Sequence, residues 1–381
     1  MAFPVISEAF GYFDAVSFSY GADFLAFYTG GLLLNKGKAS ELYDEVAQKG
    51  EQTRLGAPKG VWLPYFYPPA YAWLMRPWST LPYPIAFRLW QMTCIVCHVF
   101  SLWLICRGLR LQLTPDILLV GTAYPPVYFN VFVGQNGAWF LLVYALAFYL
   151  MTKERDFLAG LILGLGVLKP QLFWLIPLMI IAQRRWKLLA GSVVMSMGLA
   201  FSSLLIVGVQ GIRDYLALFN TPFYTIPSSR FMFMMQSLPQ FLGVILGGRV
   251  GQFALAGLVS IPITMLSWRA LARDRSPEAL FLISVMGAIL GAPQAFHYDL
   301  VLLILPALIL YPRLSKMNGS RQVQVALAAL FLTALLMWIW LPLQPSVLAL
   351  LTLYILVLRE TRSLVPGMAA PEEAPAPVSK R

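Results

Sequence analysis

The fold is decided by residues 157–183, which read FLAGLILGLGVLKPQLFWLIPLMIIAQ. This stretch carries a charge only at Lys169, and Pro170 follows the lysine directly. A helix needs about 20 apolar residues to cross a bilayer, and each half of the stretch is shorter than that. We therefore predict two half-length or tilted helices that meet at a kink at Lys169-Pro170. Such a break is tolerated at membrane depth only where protein or a wet cavity satisfies the backbone.

The composition of the whole chain is that of an integral membrane protein. Of its 381 residues, 59% are hydrophobic and 12% are charged, and the mean hydropathy is +0.70. An ordinary soluble domain is nearer half apolar and a quarter charged. The composition excludes a disordered, collagen-like, coiled-coil or small disulfide-stabilised protein. A net charge of +11 would suggest nucleic acid as a partner of a soluble protein, but here membrane topology explains most of it, and we expect no nucleic acid.

Apolar runs along the chain predict an all-α, polytopic membrane protein. A second break like the one at Lys169 is expected near His297. Gly160 and Gly164 are one helical turn apart and predict close packing against another helix. We count eleven candidate membrane segments, at 85–106, 116–132, 138–152, 157–168, 172–183, 188–208, 252–268, 279–292, 298–311, 323–342 and 346–358.

Lys and Arg residues orient this array, because short cytoplasmic loops are enriched in them. Most cations fall on one side, which we assign to the cytoplasm. We expect residues 1–84 to form a first extracytoplasmic loop, and residues 85–358 to form a helical membrane domain with a second outer loop at 209–251. Residues 359–381, rich in Pro and Ala, are expected to be a disordered cytoplasmic tail. Residues 1–22 show neither a basic leader nor a long apolar run, so we expect neither a signal peptide nor a first membrane helix there.

Two carboxylates stand in the aromatic surroundings of the first outer segment. Asp14 and Asp23 are flanked by Phe, Tyr and aliphatic residues. Burial among such residues raises the pKa of a carboxyl group unless a cation is near, and the group can then accept a proton. Asp23 is equally well placed to cap a helix beginning at Phe24, and both interpretations stay open.

Lys169 and His297 lie at the two predicted breaks. A cation at membrane depth is costly, so it indicates a functional site with an anionic partner. An internal salt bridge or snorkelling of Lys169 is the alternative. His297 lies two residues before Asp299 and could bind phosphate or pass protons, or make a structural hydrogen bond.

Further polar residues are expected on the outer side. Arg88 and Arg230 add positive charge there, although each could simply anchor the chain at the headgroups. Neutral side chains that could bind a sugar's hydroxyl groups are Gln135, Asn136, Gln236 and Ser237. One carboxylate, several cations and neutral hydrogen-bonding groups together suit a lipid-linked phosphate.

No cofactor is predicted. Cys94-Ile-Val-Cys97-His98 matches the haem-attachment pattern C-x-x-C-H, but it lies within a lipid-embedded helix, and we interpret these cysteines as packing residues. No His, Cys and carboxylate cluster has the spacing of a metal site, so we expect metal-independent activity.

A series of short motifs lies along residues 20–315. They are Asp23-Phe24, Tyr28, Gly37, Leu42-Tyr43-Asp44, Phe66-Tyr67-Pro68-Pro69, Pro77, Leu81-Pro82, Ala86, Leu89-Trp90, Gly134-Gln135-Asn136, Ala159-Gly160 through Lys169-Pro170, Gln236-Ser237-Leu238 and Ala292-Pro293 through His297. Their order and spacing resemble glycosyltransferase family 87 of the GT-C superfamily, which includes polyprenol-phosphate-mannose-dependent α-1,2-mannosyltransferases.

The resemblance implies inverting transfer of a hexose, with mannose as the sugar it suggests, from a polyprenyl-phosphate donor. The acceptor is then a hydroxyl of a lipid or glycan on the extracytoplasmic face of the cytoplasmic membrane. Asp23 matches the family's general base, while His297 and Lys169 match positions near the substrates. Tyr67 lies in a matching motif and is taken as a further substrate-binding candidate.

Two other functions stay open at this point. A polymerase or ligase of lipid-linked glycans would use a polyprenyl-diphosphate donor instead. A transporter or flippase would carry out no transfer chemistry, and would more naturally show paired repeats and binding residues at the membrane midplane.

Overall fold

The computed structural model describes residues 21–57, 62–220, 235–247, 251–316, 320–335 and 344–360. Regular structure in these ranges is helical, apart from one antiparallel bridge between Met235 and Phe296. The predicted all-α class is therefore confirmed. Asp14, Arg230 and residues 361–381 of the predicted tail lie outside the described residues.

The first half of the chain forms eight α-helices within the described residues. Several begin with proline in the first turn, where its missing N–H has no helical partner to lose. They are α1 Ala22–Asn35, α2 Glu45–Arg54, α3 Pro69–Met75, α4 Tyr83–Gly108, α5 Pro115–Ala123, α6 Pro125–Val133, α7 Gly137–Thr152 and α8 Asp156–Gly164.

The second half continues with helices of very different lengths. Short 3₁₀ segments link some of them, including Leu165–Leu168 after α8 and His297–Leu303 before α15. The helices are α9 Pro170–Phe173, α10 Leu175–Ala182, α11 Trp186–Ala217, α12 Leu238–Ile245, α13 Gln252–Leu271, α14 Pro277–Gly291, α15 Ile304–Leu310, α16 Ser320–Leu335 and α17 Pro345–Glu360.

Within the described residues, each of the eleven predicted segments contains helix. Within the described part of the chain, four helical stretches are long and apolar enough to cross a membrane: Tyr83–Gly108, Trp186–Asn220, Phe253–Leu271 and His297–Leu314. A fifth is added if α5 and α6, which bend by 59° at their junction, are counted as one span. The chain is thus a multi-pass membrane protein, while the number of eleven spans stays a prediction.

Both predicted breaks are present. Lys169 leaves the helical conformation (φ −141°, ψ 66°) between the 3₁₀ turn after α8 and the start of α9. The chain also leaves α14 at Gly291 and resumes as a 3₁₀ helix at His297. These two interruptions bring irregular backbone, and the polar side chains on it, into the helical interior.

Close packing of α8 against α11 fixes the first break. A Cβ atom added to Gly160 would lie 2.1 Å from the Leu188 carbonyl oxygen, and one added to Gly191 would lie 2.1 Å from the Phe157 carbonyl oxygen. The two backbones touch where each helix has a glycine. The close packing predicted from Gly160 and Gly164 is confirmed.

Both segments predicted to be outer loops contain helices. The segment 1–84 is largely helical where it is described, with α1, α2 and α3 inside it. The predicted outer loop from residue 209 begins as helix, because α11 continues to Ala217 beyond a bend at Gly208 (φ +68°). Glycine adopts this left-handed angle without a steric penalty, so the chain changes direction there and then resumes a helix.

Candidate functional site

The site begins at the N-terminus of α1. Gly21 caps the helix in a left-handed conformation (φ +85°), and its N–H donates to the Phe132 carbonyl at 3.0 Å. The Tyr83 hydroxyl donates to the Gly21 carbonyl at 2.8 Å. The helix therefore starts at Ala22, and Asp23 occupies its first turn without capping it. The interpretation of Asp23 as a cap for a helix starting at Phe24 is wrong.

A tight turn between α6 and α7 brings Gln135 to Asp23. Gly134 ends α6 in the left-handed conformation (φ +76°), and a Cβ atom there would lie 2.6 Å from the Phe24 Cβ. Only glycine allows this approach. The Gln135 Nε2 then donates to the Asp23 Oδ2 at 3.0 Å.

Aromatic hydroxyls surround the same turn. The Tyr67 hydroxyl lies 3.4 Å from the Gln135 Oε1 and 3.5 Å from the Asn136 Oδ1. The Asn136 Nδ2 donates to the Tyr71 hydroxyl at 3.0 Å, and the rings of Tyr67 and Tyr71 stack with centroids 4.7 Å apart. Burial raises the pKa of Tyr67 well above its usual range, so its hydroxyl stays protonated and can donate.

Lys169 reaches this turn from its break. Its Nζ donates to the Asn136 Oδ1 at 3.1 Å and pairs with the Asp299 Oδ1 at 2.6 Å. The Lys169 and Asp299 side chains are only 3% and 1% exposed. The ammonium also lies 5.3 Å from the centre of the Tyr298 ring. Lys169 thus makes the internal salt bridge that the sequence left open as an alternative.

Asp299 was not among the site residues predicted from the sequence. The signal was present, since an intramembrane cation implies an anionic partner and Asp299 stands beside the second break. The two residues are 130 positions apart in the sequence, so the sequence alone did not indicate which anion pairs with Lys169. The two helix breaks lie side by side in the structure, and this brings Lys169 and Asp299 into contact.

The second break carries the remaining predicted residues. The Gln236 N–H donates to the Ala295 carbonyl at 2.5 Å, and the Gln236 Oε1 accepts from the Ser346 hydroxyl. His297 is 3% exposed. The centroid of its ring lies 3.9 Å from the centroid of the Phe129 ring. Ser237 is fully buried. The motif at residues 236–237 and the one ending at His297 are therefore neighbours.

Arg88 lies away from these contacts. It is exposed on α4, and its guanidinium is 3.4 Å from the Gln91 Oε1. The structure therefore brings Asp23, Gln135, Asn136, Tyr67 and Lys169 into one connected group and sets Arg88 on an outer helix face.

The electrostatics distinguish the two carboxylates. Burial raises the pKa of Asp23 to about 6, although the hydrogen bond from Gln135 and the charge of Lys169 pull it down. The charge of Asp299 raises it slightly further. Asp23 is also partly exposed, as is Tyr67, whereas Asp299 is buried and paired. Asp23 is thus the carboxylate of the group that a substrate can reach, and its pKa suits proton transfer near neutral pH.

A partly exposed carboxylate within a helical membrane protein, with a raised pKa, is typical of a membrane enzyme that moves a proton. Comparison with known families identifies the class more closely. The sequence profile of glycosyltransferase family 87 matches residues 65–306, more than half of the chain. The protein belongs to glycosyltransferase family 87, and placement in the GT-C superfamily is consistent with this family. It is a glycosyltransferase with a sugar donor and an acceptor.

The matched region contains Tyr67, Gln135, Asn136, Lys169 and the two motifs of the second break, but it begins after Asp23. The link to Asp23 is structural, through the Gln135 hydrogen bond. No curated protein and no solved structure matches the chain.

Proposed function

We propose that the protein transfers a hexose from a polyprenyl-phosphate donor to an acceptor hydroxyl, with Asp23 as the general base. The observation that carries the proposal is the Asp23 carboxylate, partly exposed and held by Gln135. As the acceptor oxygen attacks C1 of the sugar, Asp23 takes the hydroxyl proton. The C1–O bond to the donor breaks, and the phosphate leaves with the electron pair. Phosphate is already a weak base, so the leaving group requires no general acid.

A single displacement fits this arrangement and inverts the configuration at C1. Retention through a covalent intermediate uses two carboxyl groups at the reacting centre. In the described group the second carboxylate, Asp299, is 1% exposed and paired with Lys169. Asp23 therefore acts alone as the base, and we propose an inverting transfer.

The proposed lipid-linked donor is supported by a groove of about 480 Å³ between α4, α5 and α6. Its surface is mostly apolar and includes Ile95, Val99, Val127 and Val131, while Gln91, His98 and Thr122 are its polar lining residues. Phe132 also lines the groove, and its carbonyl accepts the hydrogen bond from Gly21, two residues before Asp23. An isoprenoid chain in this groove would place its phosphate near the candidate base.

Arg88 gives the outer end of the groove a positive charge. It lies one helical turn before Gln91, which lines the groove and contacts the guanidinium. We propose that Arg88 attracts the donor phosphate, while the groove holds the chain. The cation that serves the phosphate is then Arg88 on the surface, because Lys169 is buried and paired.

The orientation of α7 supports an extracytoplasmic site. The helix begins directly after the Gln135-Asn136 turn and ends at Thr152, with Lys153 as its C-cap. At 1.5 Å per residue its 16 residues span roughly 24 Å, so the turn and the cation-rich end lie at opposite ends of the helix. Because cations mark the cytoplasmic side, we place the site on the outer face of the cytoplasmic membrane, with residues 1–84 as its outer cover.

The test of donor class is a transfer assay with the purified protein. Radiolabelled polyprenyl-phosphate mannose and polyprenyl-phosphate glucose are supplied beside a polyprenyl-diphosphate-linked glycan, with membrane lipid as the acceptor source. We expect label in new product from a monophosphate donor, and the same rate in EDTA. Product from the diphosphate donor alone would replace the proposal with a polymerase or ligase, and unchanged donor moved across a vesicle membrane would replace it with a flippase.

A further inference from the structure

The Lys169–Asp299 pair joins the two helix breaks in the interior. The Asp299 Oδ2 accepts from the Phe296 N–H at 3.0 Å, while its Oδ1 holds the Lys169 ammonium. Both carboxylate oxygens are therefore engaged, and the carboxylate is fixed in place. Burial of two charges costs several kcal/mol per ion and is repaid only with good geometry and further hydrogen bonds. The pair has both.

The pair is connected to Asp23 by side-chain contacts alone. Lys169 donates to Asn136, Asn136 and Gln135 both face the Tyr67 hydroxyl, and Gln135 donates to Asp23. Lys169 holds the oxygen of the Asn136 amide, so the amide nitrogen turns to Tyr71. The buried lysine therefore sets the orientation of the Asn136 amide, and the contacts continue from there through Tyr67 and Gln135 to Asp23.

We propose that Asp299 is a positioning residue for the transfer reaction: its carboxylate holds the Lys169 ammonium against Asn136 and keeps the ammonium from pairing with Asp23. This inference rests on the proposed function. A lysine drawn to Asp23 would occupy the carboxylate that must accept the acceptor's proton. Asp299 therefore acts through Lys169 rather than by touching the substrate.

The charges around Asp23 make the inference testable. The titratable groups that face it are Lys169, Asp299 and the hydroxyls of Tyr67 and Tyr83. Lys169 lowers the pKa of Asp23 and Asp299 raises it. Removal of the Asp299 charge leaves Lys169 unopposed, so the pKa of Asp23 must fall. A role limited to packing would not produce this directed shift.

The experiment measures the protonation of Asp23 directly. The infrared band of the protonated carboxyl is titrated in detergent, as the difference between each protein and its Asp23→Asn derivative. In Asp299→Asn we expect the midpoint to fall by about half a pH unit to one pH unit, as for one unit charge at an effective dielectric constant of about 20. Turnover should fall at least tenfold with a smaller change in the acceptor KM.

Three further variants serve as controls. In the neutral double variant Lys169→Met/Asp299→Asn the midpoint should return to near the wild-type value, while in Asp299→Glu, which keeps the charge, it should stay there. Asp156→Asn removes a carboxylate from another ion pair, with Arg185 at 2.9 Å, and should leave the midpoint unchanged. If Asp299→Asn does not fold, the double variant and Asp299→Glu still test the inference.

An unchanged midpoint in folded Asp299→Asn, or an equal shift in Asp156→Asn, would overturn the inference. So would a midpoint in the neutral double variant or Asp299→Glu that differs from wild type by more than half a pH unit. The infrared titration needs no turnover, so it is separate from the test of function. Absence of sugar transfer by the wild-type protein would overturn the proposed function instead.

Discussion

Asp23 combines two properties that a general base needs, because it is partly exposed and its surroundings exclude much of the water around it. Its pKa of about 6 results mainly from burial, opposed by the Gln135 hydrogen bond. The base form is the ionised one, so kcat/KM should fall about tenfold per pH unit below about pH 6 and level off above it. Gln135→Leu removes the bond that lowers the pKa, and the acidic limb should then move to higher pH.

The measurement is the pH profile of kcat/KM for wild type and Gln135→Leu. Gln183→Leu is the matched control, because the Gln183 amide is equally buried but donates to the Asp274 carbonyl elsewhere. Its acidic limb should coincide with that of wild type. A limb that moves to lower pH in Gln135→Leu would contradict the assignment of the limb to Asp23.

The sequence predicted several residues of this group but not their connections. Asp23 and Lys169 were recognisable because polar groups in apolar surroundings are costly, and Gln135 because its amide could bind a sugar's hydroxyl groups. Asp299 was missed because its partner lies on another helix break. The sequence could not decide whether the anionic partner of Lys169 is a substrate or an internal carboxylate, because only the distances show which anion it contacts.

At the scale of the elements, the contact between α8 and α11 is the most exacting. A methyl group at Gly160 would meet the Leu188 carbonyl oxygen at 2.1 Å, whereas one at Gly198 would meet nothing within 4 Å. We expect Gly160→Ala to destabilise the protein by about 1–3 kcal/mol through overpacking. Gly198 lies within α11. Gly198→Ala should leave the stability unchanged or raise it slightly, because Ala has a higher helix propensity than Gly.

Both variants are compared by the fraction of monodisperse protein that survives heating in detergent. A lower midpoint temperature for Gly160→Ala than for Gly198→Ala is the expected order. Equal midpoints would mean that α8 and α11 do not touch at Gly160.

Helix positions could be read from the sequence better than helix lengths. Each predicted apolar run contains helix where it is described, because backbone groups at membrane depth must be satisfied internally. The helix α2 was not predicted, since it is polar and has no apolar run, although Asp44 caps it by accepting from the Ala47 N–H at 2.7 Å. The bend of 59° between α5 and α6 divides a segment that had been expected to be continuous.

The whole molecule presents its candidate base beside a groove that opens between membrane helices. Ile95 lines this groove, while Val96, the next residue, is exposed outside the residues that line it. We expect Ile95→Trp to raise the KM for a long-chain polyprenyl-phosphate donor severalfold, because the indole fills space that the chain needs. Val96→Trp should change it little.

The same assay with a short-chain donor analogue distinguishes a blocked groove from a misfolded Ile95→Trp protein. Ile95→Trp should use the short donor almost as well as wild type does. An equal loss with short and long donors, or the same loss in Val96→Trp, would place the lipid chain elsewhere.

The central claim is that this family 87 glycosyltransferase uses Asp23 as its base, and one comparison tests it most directly. Transfer of radiolabelled sugar from polyprenyl-phosphate mannose and glucose is measured for wild type, Asp23→Asn and Asp44→Asn. Asp44 is exposed and caps α2, a task that Asn performs equally well. We predict product from wild type and Asp44→Asn and a loss of 10²-fold to 10⁴-fold in folded Asp23→Asn. Full activity of Asp23→Asn would contradict the claim.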